Sequence, residues 1–342
     1  MKRRSSDDAG SPARGPVTLH DVARAAGVSV ATVSFVANGR LDVRMTDATR
    51  ERVQRVIEEL GYRPNALAKN LANGVSPFIG LVADAIATTP FAGQIIHGAQ
   101  DEAWRHGYVL LVANTEGDQV VEARAIEMMR EHQVQGILYS TWYHRAVDVP
   151  AGLDTARTVL VNCFAREGGM PAVVPDEVGG GRAATEMLLN AGHRRIAFLN
   201  TTSESPAREG RLRGYRDALD AAGVAWDPSL VLDVQPDQAG GFGAVPALLD
   251  SQVTAVFCHN DRVAMGLYDG LRDRGLRVPR DLAVVGFDNQ EVISAHLRPG
   301  LSTVQLPHYE LGVESVRLLL GDVTAPNGVL HVACPVVARD SI

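Results

Sequence analysis

Val17-Thr-Leu-His-Asp-Val-Ala-Arg-Ala-Ala-Gly-Val-Ser-Val-Ala-Thr-Val-Ser-Phe-Val-Ala-Asn38 reads as two short helices joined by a tight turn. Thr18 fits an N-cap, with Asp21 as the acidic partner that a capping box requires. Val22, Ala25 and Ala26 supply an inward face. Gly27 makes the turn, Ser29 caps the second helix, and Asn38-Gly39 ends it. A third helix opens at Thr46 and runs to about Leu60, with Val53, Val56, Ile57 and Leu60 at helical spacing. Gly61-Tyr62-Arg63-Pro64 then breaks the chain.

Each helical residue turns about 100°. With Val30 at zero, Ala31 falls near 100°, Ser34 near 40° and Phe35 near 140°. Val33, Val36 and Ala37 gather at roughly 240° to 340°, on the face turned to the core. The first group is left free to meet a DNA groove. Ser29, Thr32, Ser34 and Asn38 are short hydroxyl or amide side chains suited to phosphate oxygens. The same outline also describes a helical hairpin that only packs.

The rest of the chain has a different texture. Apolar runs alternate with helical stretches at Phe78–Val82, Tyr108–Val112, Gly136–Tyr139, Thr158–Val161, Arg195–Leu199, Ala255–Cys258 and Leu282–Gly286. The intervals are long enough for crossover helices, the pattern of parallel βαβ units. These runs exceed what one compact open sheet usually holds, so two lobes are expected, with a ligand between them near the carboxyl ends of the strands.

Bulk composition agrees. A chain of 342 residues, 46% hydrophobic and 21% charged, is expected to fold as two or three soluble domains. No apolar run reaches membrane-spanning length, and Met1-Lys2-Arg3-Arg4 lacks the apolar segment of a secretory signal. A cytoplasmic protein without membrane partners is expected. Cys163, Cys258 and Cys334 have no metal-ligand spacing and read as reduced, buried thiols. The net charge of −7 is unevenly spread: residues 1–74 hold 12 basic against 8 acidic side chains, and the remainder 21 against 32. That asymmetry suits a protein that touches phosphate at one end only.

Val17–Asn38, Tyr62-Arg63-Pro64-Asn65 and the short stretch beyond resemble the lactose-repressor/galactose-repressor (LacI/GalR) family of bacterial transcription regulators. A looser similarity covers nearly the whole body. The resemblance implies an N-terminal all-α helix-turn-helix DNA-binding domain with a hinge helix. A two-lobed α/β periplasmic-binding-protein-like body with parallel sheets follows it. The implied segments are a disordered tail at 1–16, the DNA-binding domain at 17–64, and hinge helix and linker at 65–77. The core spans 78–342, its first lobe about 78–162 plus 288–318 and its second about 163–287 plus 319–342. In that family Val30, Ala31 and Phe35 would occupy base-reading positions. Thr18, Ser29, Thr32, Ser34, Asn38, Tyr62, Asn65 and Ala68 would also lie at the DNA. Leu71 would match a leucine wedged into the minor groove at the operator centre, where it unstacks a base step and bends the duplex. Phe35 departs from the family, which often places a basic or polar residue there. Three apolar readers cannot form bidentate hydrogen bonds, so the expected readout favours thymine methyls and deformable DNA.

In the body the resemblance implies effector contacts by Phe91, Asn162, Arg211, Asn260 and Asp288. An arginine fork suits vicinal hydroxyls or a carboxylate. Plainer roles compete: Arg211 as a surface ion pair, Asn260 as a turn residue, Asp261 as a helix cap. The stretch 234–241 lacks the aromatic residue that often stacks on sugars in relatives, which leaves the effector class open. A homodimeric repressor of a near-palindromic operator, controlled by a sugar or sugar derivative, is the expectation. No heptad tail for tetramers follows Arg339. The rival readings are a non-regulatory solute-binding protein and an enzyme. For the latter, Gly179-Gly180-Gly181 lacks dinucleotide spacing, and no nucleophile elbow or metal-binding histidine pair is present. No cofactor or metal is expected, and helix packing accounts for the glycines more simply.

Overall fold

The computed structural model describes residues 17–37, 40, 43–62, 76–86 and 92–342. The tail at 1–16 and the hinge residues Asn65, Ala68 and Leu71 lie outside the described residues, as do Asn38 and Phe91. The chain divides into two compact units, Met1–Ser76 and Pro77–Ile342.

In the first unit α1 (Leu19–Ala26), α2 (Val30–Ala37) and α3 (Asp47–Leu60) surround a small core. Thr18 and Asp21 form a reciprocal capping box. The Thr18 amide donates to Asp21 Oδ2 at 3.0 Å, and the Asp21 amide donates to Thr18 Oγ1 at 3.3 Å. Gly27 adopts φ 63°, a left-handed conformation that an L side chain rarely takes, and turns the chain into α2. Ser29 Oγ accepts from the Thr32 amide at 3.1 Å. Val22, Ala23, Ala26, Val33, Val36 and Val53 fill the core, with Leu19, Val56 and Ile57 half-buried against it. The inward residue of α1 is thus Ala23, whereas the expected Ala25 is exposed. Leu19, Val22, Ala23 and Ala26 form the regular i, i+3, i+4, i+7 stripe, to which residue 25 does not belong. Leu60, the last residue of α3, is likewise exposed. Tyr62 folds back onto the core beyond the Gly61 turn, its amide bonded to the Ile57 carbonyl.

The second unit contains two six-stranded sheets. The first has β1 (Phe78–Ala83), β2 (Val109–Asn114), β3 (Ile137–Val147), β4 (Thr158–Ala165), β5 (Ala172–Pro175) and β11 (Val329–Val332), in the order 11-5-4-3-1-2. The second has β6 (Ile196–Thr201), β7 (Val231–Val234), β8 (Ala255–Cys258), β9 (Ala283–Asp288), β10 (Ser302–Gln305) and β12 (Val336–Val337), in the order 12-10-9-8-6-7. Every pairing is parallel except β10 with β12. Helices α4 (Gly93–Arg105), α5 (Gln119–Glu131) and α11 (His308–Leu320) belong to the first lobe. Helices α6 (Glu177–Asn190), α7 (Pro206–Ala221), α8 (Gln238–Asp250), α9 (Asp261–Arg272) and the short α10 (Glu291–Ser294) belong to the second.

Alternate residues of each strand enter different cores. Ile79, Leu81 and Ala83 face one side of the first sheet and Val82 the other. All seven apolar runs read from the sequence are strands. The expected lobe boundaries differ from the sheets, however. β5 extends the first lobe past residue 162 to Pro175, and β10, expected there, pairs with β9 in the second. Residues 319–342 divide, β11 joining β5 in the first sheet and β12 joining β10 in the second. The chain crosses between lobes after β5, β10 and β11. Each crossing follows a strand of four residues, and the last leads into one of two, too short to leave a periodic signal.

Candidate DNA interface and effector cleft

On the first unit the outward face of α2 carries Ala31, exposed, and Val30, Ser34 and Phe35, half-buried. Ser29 and Thr32 share a hydroxyl hydrogen bond of 2.8 Å at the start of this helix. The Arg40 guanidinium lies 5.9 Å from the Phe35 ring centroid, and Arg50 Nη1 donates to the Arg40 carbonyl at 3.1 Å. Cationic side chains therefore border an apolar reading face. Thr18 is exposed, but its hydroxyl is engaged with Asp21 at 2.6 Å. Tyr62 is 9% exposed, its ring packed in the core of the unit.

In the second unit a cavity of about 360 Å³ opens at the carboxyl ends of both sheets. Asn162, Arg211, Asn260 and Asp288 all line it, so four residues far apart in sequence meet where the strand ends converge. Their side chains are largely committed to one another and to the frame. Arg211, on α7, is 3% exposed. Its Nε donates to Glu177 Oε2 at 2.8 Å, and its Nη1 donates to the His259 carbonyl and lies 3.8 Å from Asp288 Oδ1. The guanidinium also stacks 3.7 Å from the Phe287 ring centroid. It is no surface ion pair.

Glu177 opens α6 and is buried. Burial opposes its charge, but Arg211 and a hydrogen bond from His144 outweigh that and hold its carboxyl down at about 2. Asn260 caps α9: its Oδ1 accepts from the Val263 amide at 2.9 Å and its Nδ2 donates to the Pro236 carbonyl at 3.1 Å. Asp261 is not the cap. It is fully buried, accepting from the Gln290 amide at 2.7 Å and the Thr303 hydroxyl at 2.7 Å. Asn162 Nδ2 donates to the Thr141 carbonyl at 3.0 Å.

Asp288 ends β9 with φ 100° and accepts from Gln290 Nε2 at 2.9 Å. Burial pushes its carboxyl up to about 6, against the pull of Arg211. The folded state then holds the proton more tightly than the unfolded chain. The contribution of Asp288 to stability is therefore greatest below the ordinary carboxylate range and falls as pH rises toward 6. Asp288→Asn, which keeps an acceptor for Gln290, is expected to be about 2 kcal/mol more stable at pH 7. That gain should vanish near pH 4, as thermal melts at the two pH values will show.

Sequence reasoning missed the remaining lining. Trp142 and Tyr143, edge to face at 4.8 Å, give the cleft an aromatic surface from the first lobe. Stretch 234–241 contributes only Pro236. Asp84 holds this segment, accepting from the Trp142 amide at 2.9 Å and from Arg145 at 3.0 Å. His144, His259, Arg262 and His308 add nitrogens to the walls. Of these, only Arg262 had a sequence cue, standing two residues after Asn260 in the first turn of the same helix.

Residues 76–333 match the model of periplasmic binding proteins and sugar binding domains of the LacI family, and residues 18–65 match that of bacterial regulatory proteins of the lacI family. The chain belongs to the LacI family. It is 33% identical over 333 residues to a ribose operon repressor of Haemophilus influenzae, covering 95% of this chain and 98% of that protein. It is 34% identical to catabolite control protein A of Priestia megaterium, over 89% and 91% of the two chains. Among solved structures, the lac repressor dimer bound to operator and the anti-inducer ONPF matches with a TM-score of 0.76 at 27% identity, over 96% of this chain and 99% of that one. The transcriptional regulator CelR in complex with cellobiose matches at 0.62 and 32% identity, over 95% and 99%. The LacI family is one of DNA-binding transcription regulators, not of enzymes. This member is a transcription regulator with a sugar-binding domain. Among the described residues no helix is long and apolar enough to cross a membrane.

Proposed function

We propose that this LacI-family protein represses transcription as a homodimer whose two α2 helices read half-sites of a near-palindromic operator. A sugar in the cleft controls it by binding two conformations of the body unequally. One observation carries the effector reading: Asn162, Arg211, Asn260 and Asp288 meet in a single cavity that also holds an aromatic wall and buried nitrogens. Apolar ring faces stack on aromatic side chains, while hydroxyls pair with the polar atoms. The partly exposed face of α2, beside Arg40 and Arg50, supports the DNA half.

Operator selection from random duplexes, repeated with D-ribose, D-glucose and cellobiose, tests both halves together. The expected half-sites present thymine methyls to Val30, Ala31 and Phe35, and one sugar shifts operator affinity at least tenfold. Strong selection of a guanine opposite position 35 would refute the apolar readout. No protected site under any sugar would refute the regulator reading. Leu71→Ala is expected to weaken specific binding far more than nonspecific binding, since a wedge acts only on a bent site. Gel-shift titration against operator and scrambled duplexes measures the ratio.

A further inference from the structure

Three buried side-chain nitrogens on the cleft walls have no hydrogen-bond partner: His144 Nε2, His259 Nδ1 and Arg262 Nε. Elsewhere among the described residues only Gln100 Nε2 and the Tyr268 hydroxyl are in that position, and neither lines the cavity. Leaving a buried donor or acceptor unpaired costs about 1–3 kcal/mol, more for a charged group. Native structures seldom concentrate such groups without a use for them.

Their chemistry is complementary. His144 Nδ1 lies 3.3 Å from Glu177 Oε1, and an ionised carboxylate only accepts, so Nδ1 carries the hydrogen. In the neutral ring Nε2 is then an acceptor. Arg262 Nε can only donate. None of the ion pairs formed among the described residues involves Arg262, whereas Arg211 is matched by Glu177 and Asp288. His144 stands on β3 of the first lobe, while Arg262 stands in the first turn of α9 in the second. One wall thus lacks a donor and the facing wall lacks an acceptor. An alcohol hydroxyl fits either position. A carboxylate oxygen also fits Arg262, whereas the His144 acceptor takes only a hydroxyl.

We propose that His144 and Arg262 bind the effector and set its orientation, joining the two lobes through one polyhydroxylated ligand whose hydroxyl donates to His144 and one of whose oxygens accepts from Arg262. Trp142 and Tyr143, adjacent to His144, supply the apolar face against which its ring lies. This inference rests on the cleft being the effector site and goes further by fixing the residues that bridge the two lobes.

Calorimetric titration of the full-length protein with D-ribose, D-glucose, cellobiose and D-gluconate tests it. His144→Asn places an amide where Nδ1 sits, so donation to Glu177 survives and Nε2 is lost. Arg262→Met keeps the length of the side chain and removes its donors. For the neutral sugar that binds the wild type, Kd is expected to rise about tenfold or more in each variant. Ligand-free melting temperatures should stay within a few degrees, and any binding of gluconate should weaken more in Arg262→Met than in His144→Asn. A role in contact, not only in folding, is read from monodeoxy analogues of that sugar. At one ring position the loss seen with the wild type should disappear in Arg262→Met. Wild-type affinity in both variants overturns the proposal while leaving the regulator reading intact. If none of the neutral sugars binds the wild type, both readings fall.

Discussion

Arg211→Ala is expected to destabilise the second unit by about 3–5 kcal/mol at pH 7, besides abolishing the effector response. The guanidinium is the only cation bonded to the buried Glu177 carboxylate among the described residues, apart from His144 when that ring is protonated. It also satisfies the His259 carbonyl and stacks on Phe287. Removing it leaves a largely buried carboxylate without its cation, and that is the large term. The pH dependence identifies it. In the wild type Arg211 helps hold Glu177 down at about 2, so its stabilisation is present above the ordinary carboxylate range and is lost only as pH falls toward 2. In the variant Glu177 has lost that support and takes up a proton at higher pH. The penalty should therefore shrink between pH 7 and pH 4, as urea midpoints will show. The double variant Arg211→Met with Glu177→Gln should lose much less than the sum of its parts, because no charge is then left unpaired. An unchanged urea midpoint for Arg211→Ala would mean that the arginine serves the ligand alone.

The sequence marks Arg211 as special but not why. Its match to a family arginine and its fork geometry suggest a ligand clamp, while its partners Glu177 and the His259 carbonyl lie 34 and 48 residues away. Such distances are set by the sheet, not by local pattern. The first unit is more legible because its determinants are local. Thr18 with Asp21, the Gly27 turn, Ser29 and the inward Val22 and Ala26 all act within a few residues, and the one error there, Ala25 for Ala23, stays within the same helix. The same holds for the long strands, whose apolar runs announce themselves. Strands β5, β7, β10, β11 and β12 have two to four residues each and exist because a neighbour offers an edge. Without them the lobe crossings fall in the wrong places. The aromatic surface of the cleft escapes a sequence reading for a related reason. The family pattern points to 234–241, and Trp142 and Tyr143 provide the surface from the other lobe, beside the register shift in β3 between Ser140 and Arg145.

Packing is the role the sequence assigns to the glycines, and the contact between α6 and α7 shows how strictly it applies. A Cβ on Gly214 of α7 would sit under 3.0 Å from the Val178 carbonyl oxygen, the Arg182 amide nitrogen and the Gly181 carbonyl carbon, all backbone atoms of α6. A Cβ on Gly181 would in turn meet the Arg211 backbone at 2.5 Å. No side-chain rotation relieves such overlaps, so the helices must separate. Gly214→Ala is accordingly expected to destabilise by about 3 kcal/mol, the upper end of ordinary overpacking. Helix propensity alone predicts a gain approaching 1 kcal/mol, so the sign of the result separates packing from propensity. Gly243→Ala is the control. Gly243 lies within α8, and a Cβ added there would meet nothing within 4 Å, so this change should stabilise by about 0.5–1 kcal/mol. The consequence of Gly214→Ala reaches the cleft. α6 begins at Glu177 and α7 carries Arg211, so a wider gap between them lengthens the ion pair that frames the cavity. The folded fraction should then bind sugar more weakly than wild type even at temperatures well below its melting point, a loss that Gly243→Ala should not share.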